Sequence, residues 1–231
     1  MTLGDTFELD LSKLLFNNTT LALVGDATGI VGSTSAGSLY MALHTAYPGE
    51  AGNQTTSECA YTSYARVAVA RTSGGFTASA NPAVNAALIQ FVAATGGSET
   101  ATHWSIGTAS SGTGKILASG PLTTSGAAPQ VFTALTTDVV TAPGHGFSVS
   151  DRVQFFSILG VALPTGITAG VNYFIKTVPD ANTFTISATD GGATLDITAV
   201  GAGICIKTTV LAISVNVRPE FAAGVWKMYV E

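Results

Sequence analysis

Two short stretches of strict alternation, set either side of a long polar loop, limit most sharply what this chain can fold into. In Ser38–Thr45, Leu39, Met41 and Leu43 share one face, while Tyr40, Ala42 and His44 share the other. In Tyr64–Arg71, Ala65, Val67 and Val69 lie opposite Tyr64, Arg66 and Ala68. A period of two puts successive side chains on opposite faces of an extended chain, so both stretches read as half-buried strands. Between them, Tyr47–Ser63 is too long and too polar for a simple hairpin. Pro48, two glycines, Asn53, Gln54 and a Thr/Ser cluster predict an ordered surface excursion there.

The same grammar runs through the first half of the chain. Leu11, Leu14 and Leu15 predict one short helix ending at Asn17-Asn18. Strands are then expected at Thr20–Val24, Phe76–Ser79, Ala86–Phe91, Thr102–Gly107 and Ile116–Pro121, broken by Gly/Ser/Thr turns. Regularly spaced short strands of this kind argue for an antiparallel β-sandwich, jelly-roll-like, rather than a parallel sheet covered by helices. After Pro121 the pattern changes. Thr123–Gln130 reads as a linker, and beyond it strands are expected at Arg152–Phe156, Tyr173–Val178 and Thr183–Ala188, the last two joined by the turn Pro179–Asn182. The earlier alternation returns in Leu211, Ile213, Val215 and Val217, followed by a closing strand over Val225–Val230.

Composition narrows the function classes. Hydrophobic residues make up 46% of the chain and charged residues only 10%, against roughly 25% charged in ordinary soluble domains. A surface so poor in charge suits a protein covered by neighbouring subunits, which favours a homo-oligomer or a larger assembly. The net charge is −5 and the nine basic residues are scattered, which argues against binding nucleic-acid phosphates. No apolar run is long enough to span a bilayer, so no membrane partner is expected. The opening MTLGDTFELDL carries acids and lacks the basic segment of a signal peptide. Cys59 and Cys205 are too few for a disulfide framework and read as two free thiols.

Convergent chemistry is missing. Ala109–Ile116, ASSGTGKI, superficially suggests a phosphate loop, but Ala109 stands where glycine is required and Ile116 where Ser/Thr is required. His44, His103 and His145 are far apart in the chain, and Asp190-Gly191-Gly192 reads as a turn before it reads as a calcium loop. The expectation is therefore no enzyme, no catalytic residues, no metal and no cofactor. Trp104 and Trp226 alternate with apolar residues and read as core rather than as sugar-stacking platforms.

The strand SLYMALHTA, the loop PGEAGNQTTSE, the strand YARVAVAR with SGGF, and ATGGS followed by ATHWSIGTASSGTGKILASG resemble a bacteriophage virion protein family often labelled tail-fibre-like. The resemblance covers roughly residues 10–122 and resumes at the chain end. A second resemblance, carried by HGFSVSDRVQF, LPTGITAG, NYFIKTV and NTFTISATDGG, is to a small β module of phage structural proteins. Together they imply an all-β chain in which residues 1–130 plus 207–231 form a host sandwich and residues 131–206 form a small barrel-like domain inserted in a loop. They imply a non-enzymatic virion protein assembled in the host cytoplasm, a multi-copy decoration or neck/collar protein bound to capsid, neck or tail proteins. The alternative is a tail-fibre or receptor-binding module that meets a host glycan through the insert. Pro48, Glu50, Asn53, Gln54 and Glu58 are then expected in a subunit-interface arm whose loss harms assembly more than folding. Phe155, Phe156, Tyr173 and Phe174 are the expected exposed binding aromatics.

Overall fold

The computed structural model describes residues 3–123, 127–158 and 160–228. The expected linker Thr123–Gln130 and closing strand Val225–Val230 lie partly outside them. Helix α1 spans Asp5–Asn17. The strands of the first half are β1 (Ser38–His44), β2 (Val67–Ala70), β3 (Phe76–Thr77), β4 (Ala83–Asn85), β5 (Ile89–Gln90), β6 (Glu99–Ala101), β7 (His103–Gly107) and β8 (Ile116–Pro121). The second half contributes β9 (Gln130–Ala134), β10 (Val140–Thr141), β11 (Arg152–Phe156), β12 (Tyr173–Thr177), β13 (Thr183–Ser187), β14 (Gly201–Thr208), β15 (Leu211–Ile213), β16 (Glu220–Phe221) and β17 (Lys227–Met228). Among the described residues the fold is all-β apart from α1. No helix among the described residues is long and apolar enough to cross a membrane.

Two compact units divide the chain: Met1–Thr100 with Trp104–Ser119 and Ala212–Glu231, and Ala101–His103 with Gly120–Leu211. In the first, β2-β1-β7-β8 form a four-stranded sheet, with β17-β4-β3 and β16-β5 as smaller ladders. The alternation in Ser38–His44 sets the β1 register against β2, pairing Leu39 with Val69 and Met41 with Val67. From Met41 to His44 both faces of β1 are buried, so it is a central strand rather than the half-buried one that alternation predicts. The helix ends as expected: Asn18 takes the left-handed conformation (φ 55°), and Thr19 N–H reaches back to the Lys13 carbonyl at 3.2 Å. Phe16, Phe76 and Trp226 form the aromatic centre of this core, with ring centroids 5.0 to 5.8 Å apart.

The expected strand Thr20–Val24 does not form. Leu21 makes a single bridge to Ile30, and the turn between them is fixed by the Asp26 carboxylate, which accepts from Thr28 N at 2.8 Å and Gly29 N at 3.0 Å. Leu23 has φ 65°, which breaks the extended conformation that its sequence pattern implies.

The second unit contains a closed six-stranded barrel, ordered β10-β13-β12-β11-β14-β9. Alternation drives it: Phe132, Val153, Phe155, Tyr173, Ile175, Phe184, Ile186 and Cys205 all point into one buried cluster. Gly203 on β14 has no room for a side chain, since a Cβ there would lie 2.4 Å from the Phe156 carbonyl oxygen. Glycine there lets the strand pack closely against Phe156 and against Phe132, its partner in the register.

Candidate functional site

The Tyr47–Ser63 loop folds back onto its own sheet. Gln54, expected at a subunit interface, is fully buried. Its Nε2 donates to the Tyr40 carbonyl at 3.1 Å and its Oε1 accepts from Ala109 N at 3.0 Å. The space it fills is made by glycine: a Cβ on Gly107 would stand 2.3 Å from Gln54 Cδ, and one on Gly114 would stand 2.2 Å from Gln54 Oε1. Gly114, from the stretch that resembles a phosphate loop, and Gly107 just before that stretch thus make a berth for an amide. Pro48 is also buried, Asn53 and Glu58 are partly buried, and among the five expected interface residues only Glu50 is exposed. Asn53 Oδ1 turns inward on the loop, accepting from Thr55 N at 2.9 Å and Thr55 Oγ1 at 2.6 Å.

Glu58 and Arg66 anchor the far end of the loop. Nε and Nη2 of Arg66 each meet a different Glu58 oxygen at 2.7 Å, a two-pronged pairing. The Arg66 side chain is 2% exposed and that of Glu58 15%. Arg66 also donates to the carbonyls of Ala109 at 2.9 Å and Gly112 at 2.7 Å. Tyr64 hydroxyl donates to Glu58 at 2.9 Å and accepts from Leu43 N at 3.1 Å. The hydrogen bonds to Glu58 raise the guanidinium's affinity for its proton, while burial pushes the Tyr64 hydroxyl well above the ordinary phenol range. Neither carboxylate nor phenol is left to act on a substrate.

His44 and the two cysteines are buried as well. His44 Nδ1 lies 2.9 Å from the Thr56 carbonyl. A carbonyl only accepts, so that nitrogen carries the proton and Nε2 accepts from the Ser105 hydroxyl at 2.7 Å. Burial lowers the His44 pKa, against the raising influence of Thr56 and Glu58. Cys59 and Cys205 are free and buried. Burial pushes both thiols up to about 12, with Glu99 and Glu58 adding to the effect at Cys59. Such thiols are poor nucleophiles.

The barrel corrects the expected binding aromatics. Phe155 is fully buried and Tyr173 is 5% exposed. Their rings meet at 5.8 Å, and Phe155 meets Phe132 at 4.9 Å. Alternation puts adjacent Phe155 and Phe156 on opposite faces, and the barrel takes the first inside. Phe156 and Phe174 are half-buried, and the Arg152 guanidinium sits 4.6 Å over the Phe174 ring. The four therefore do not form one exposed platform.

Several polar connections had no usable signal in the sequence. Gln154 is buried in the barrel wall, where Nε2 donates to Asn172 at 2.9 Å and Oε1 accepts from His103 Nε2 at 2.9 Å. Asn85, 1% exposed, donates to the carbonyls of Ala87 and Ala222 at 2.8 Å and accepts from Trp226 N at 3.0 Å. What the described surface does present is apolar: Leu23, Val24, Ile30 and Val31 are between 40% and 81% exposed.

Comparison with known proteins agrees with this picture of a scaffold. No curated protein and no solved structure matches the chain. The family model described as podophage GP4 fiber I protein gp80 matches residues 16–146, more than half of the chain. The matched stretch takes in the β1–β2 loop and its berth, and it runs on through the first two barrel strands. The chain belongs to the podophage GP4 fiber I protein gp80 family and is a bacteriophage virion structural protein.

Proposed function

We propose that this chain is a non-enzymatic subunit of a podophage fibre assembly, present in several copies and bound to other virion proteins. The family match over residues 16–146 carries the reading. The internal engagement of Gln54, Glu58, Arg66 and His44 supports it, because these residues stabilise a scaffold rather than face a substrate. The barrel is an inserted module on the host unit, and its strand order supports that view. β9, where the chain enters, lies beside β14, where it leaves, with Gln130 opposite Cys205. A loop whose two ends are neighbours can accept a folded insert at small entropic cost.

A second reading, a compact neck or collar decoration, is favoured by one observation: the sequence has no repeat or heptad segment from which a long shaft could be built. Imaging intact particles that carry a tagged chain separates the two. Density on the fibres supports the first proposal, and density confined to the neck or head refutes it. A role in glycan binding draws no support from Phe155 and Tyr173, which are core residues.

A further inference from the structure

Helix α1 has an apolar stripe that the other described residues cover only in part. Ser12 and Phe16 are buried on the side that meets Phe76. Roughly half a turn round the helix stand Phe7, Leu11 and Leu14, spaced four and three residues apart and so aligned in one row. Phe7 is 38% exposed, Leu11 and Leu14 are only half-buried, and Leu3 just before the helix is 36% exposed.

The segment that follows adds a second apolar surface. Leu23 is 81% exposed, Val31 61% and Ile30 47%. This arm is held in place rather than loose. Asn18 and Ser33 exchange side-chain to backbone bonds at 2.7 and 2.8 Å. Leu21 and Ile30 exchange two backbone bonds at 3.0 and 2.8 Å. Arg71 ties the arm to the helix, donating to the carbonyls of Leu14 and Leu15 at 2.7 Å and to Ser33 Oγ at 3.2 Å. At the arm's tip Leu23 is fixed in a left-handed conformation that bulky residues rarely adopt. Exposed apolar side chains on a pre-ordered support are the material of an interaction surface, because little ordering cost remains to be met on binding.

Charge selects the occupant. Residues 3–36 hold four carboxylates, Asp5, Glu8, Asp10 and Asp26, against one lysine, Lys13, and the Arg71 guanidinium that reaches in is bonded to the carbonyls of Leu14, Leu15 and Ala36 and to Ser33 Oγ. Lys13 pairs with Asp10 at 3.5 Å, and Glu8 also accepts from Asn81 at 3.2 Å. By helical geometry Glu8 and Asp10 stand on the two flanks of the Phe7 stripe. A second copy of this surface would set carboxylate against carboxylate, and an anionic membrane would be repelled in the same way. We propose that the α1 stripe and the Leu23 arm dock a segment of another virion protein, one that presents an apolar face edged by lysine or arginine. This rests on the chain's place in the virion.

The test uses particles assembled with the full-length chain carrying a photo-crosslinking benzoylphenylalanine at Phe7 or at Leu23. The expected result is a crosslink from both positions to one other virion protein, at a peptide where apolar residues alternate with Lys or Arg. Phe7→Glu and Leu23→Glu should each cut incorporation at least tenfold. Asp10→Lys should cut it several-fold and weaken its salt dependence. All three should keep the unfolding midpoint of the parent protein, which separates lost docking from lost folding. Crosslinks to a second copy, to lipid, or to a peptide without basic residues overturn the proposal, as does normal incorporation of the glutamate variants. Absence of the parent chain from particles would instead refute its virion role.

Discussion

Removing the Glu58 carboxylate should destabilise the first unit out of proportion to the size of the change. In Glu58→Ala, Arg66 loses two 2.7 Å charge-assisted bonds, and Tyr64 loses the acceptor of its 2.9 Å bond. The Ala109 and Gly112 carbonyls still hold the guanidinium, but its charge is then uncompensated on a side chain only 2% exposed. Breaking one partner of a buried pair costs about 3–5 kcal/mol. Neither partner here is exposed enough for solvent screening to reduce that much. Replacing both ends, Glu58→Leu with Arg66→Leu, removes the stranded charge and should cost about 1–2 kcal/mol, because apolar pairs can substitute for buried ion pairs. In a cycle built on the leucine variants each single also strands one charge, so the double variant should cost less than either single. Urea unfolding followed by tryptophan fluorescence is a suitable assay, since the chain's two tryptophans, Trp104 and Trp226, both lie in the first unit. A single variant costing less than about 1 kcal/mol, or a double variant equal to the sum of the singles, would refute the claim that this pair is a buried anchor.

Other outcomes follow from the same geometry. Burial holds the folded His44 pKa below its unfolded value of 6.5, so the unfolded chain binds the extra proton. Stability should be fully present above the unfolded value and fall as pH drops below it, by at most about 1.4 kcal/mol per pH unit. His44→Gln should remove that component, and an unchanged pH profile would contradict it. Gln54→Ala strands the Tyr40 carbonyl and the Ala109 amide and should cost about 2–4 kcal/mol. Faster hydrogen exchange at Ala109 is the local readout. Deleting Glu50–Ser57 should accordingly destabilise the monomer, the reverse of what an interface arm predicts, and thermal melts of the isolated chain decide it. With pKa values pushed up to about 12, Cys59 and Cys205 should resist an aromatic disulfide reagent at neutral pH until the chain is unfolded. Rapid labelling of either thiol in the native protein would show that its burial is misjudged.

Alternation was readable wherever a strand runs straight through a sheet. The alternation of Ser38–Thr45 is realised in β1 as far as His44, and the strands expected at Ile116–Pro121 and Arg152–Phe156 form with those bounds. It failed where a side chain or a turn overrides the pattern. Tyr64–Arg71 shortens to Val67–Ala70, because Tyr64 and Arg66 are drawn to Glu58. Thr20–Val24 offers Leu21 and Leu23 in alternation, yet Asp26 turns the chain back at once. Period two also says that Phe155 and Phe156 face opposite ways without saying which way is in. Barrel closure decides that, and it depends on pairings such as Phe155 with Cys205, far apart in the chain. Gln54 departs from its expected place at a subunit interface for a related reason. Gln54, polar and set among turn residues, looks like surface until Gly107 and Gly114 are brought to it by the fold.

The closed ring of β9 to β14 also bears on how the protein behaves when crowded. In an open sheet the outermost strands carry unpaired amides and carbonyls, which can recruit a strand from a neighbouring molecule and seed aggregates. Here β9 pairs with both β10 and β14, so the ladder has no terminal strand. Newly made chains at high local concentration can touch through barrel side chains without exchanging barrel backbone. The barrel therefore offers no free backbone edge that a neighbouring strand could extend.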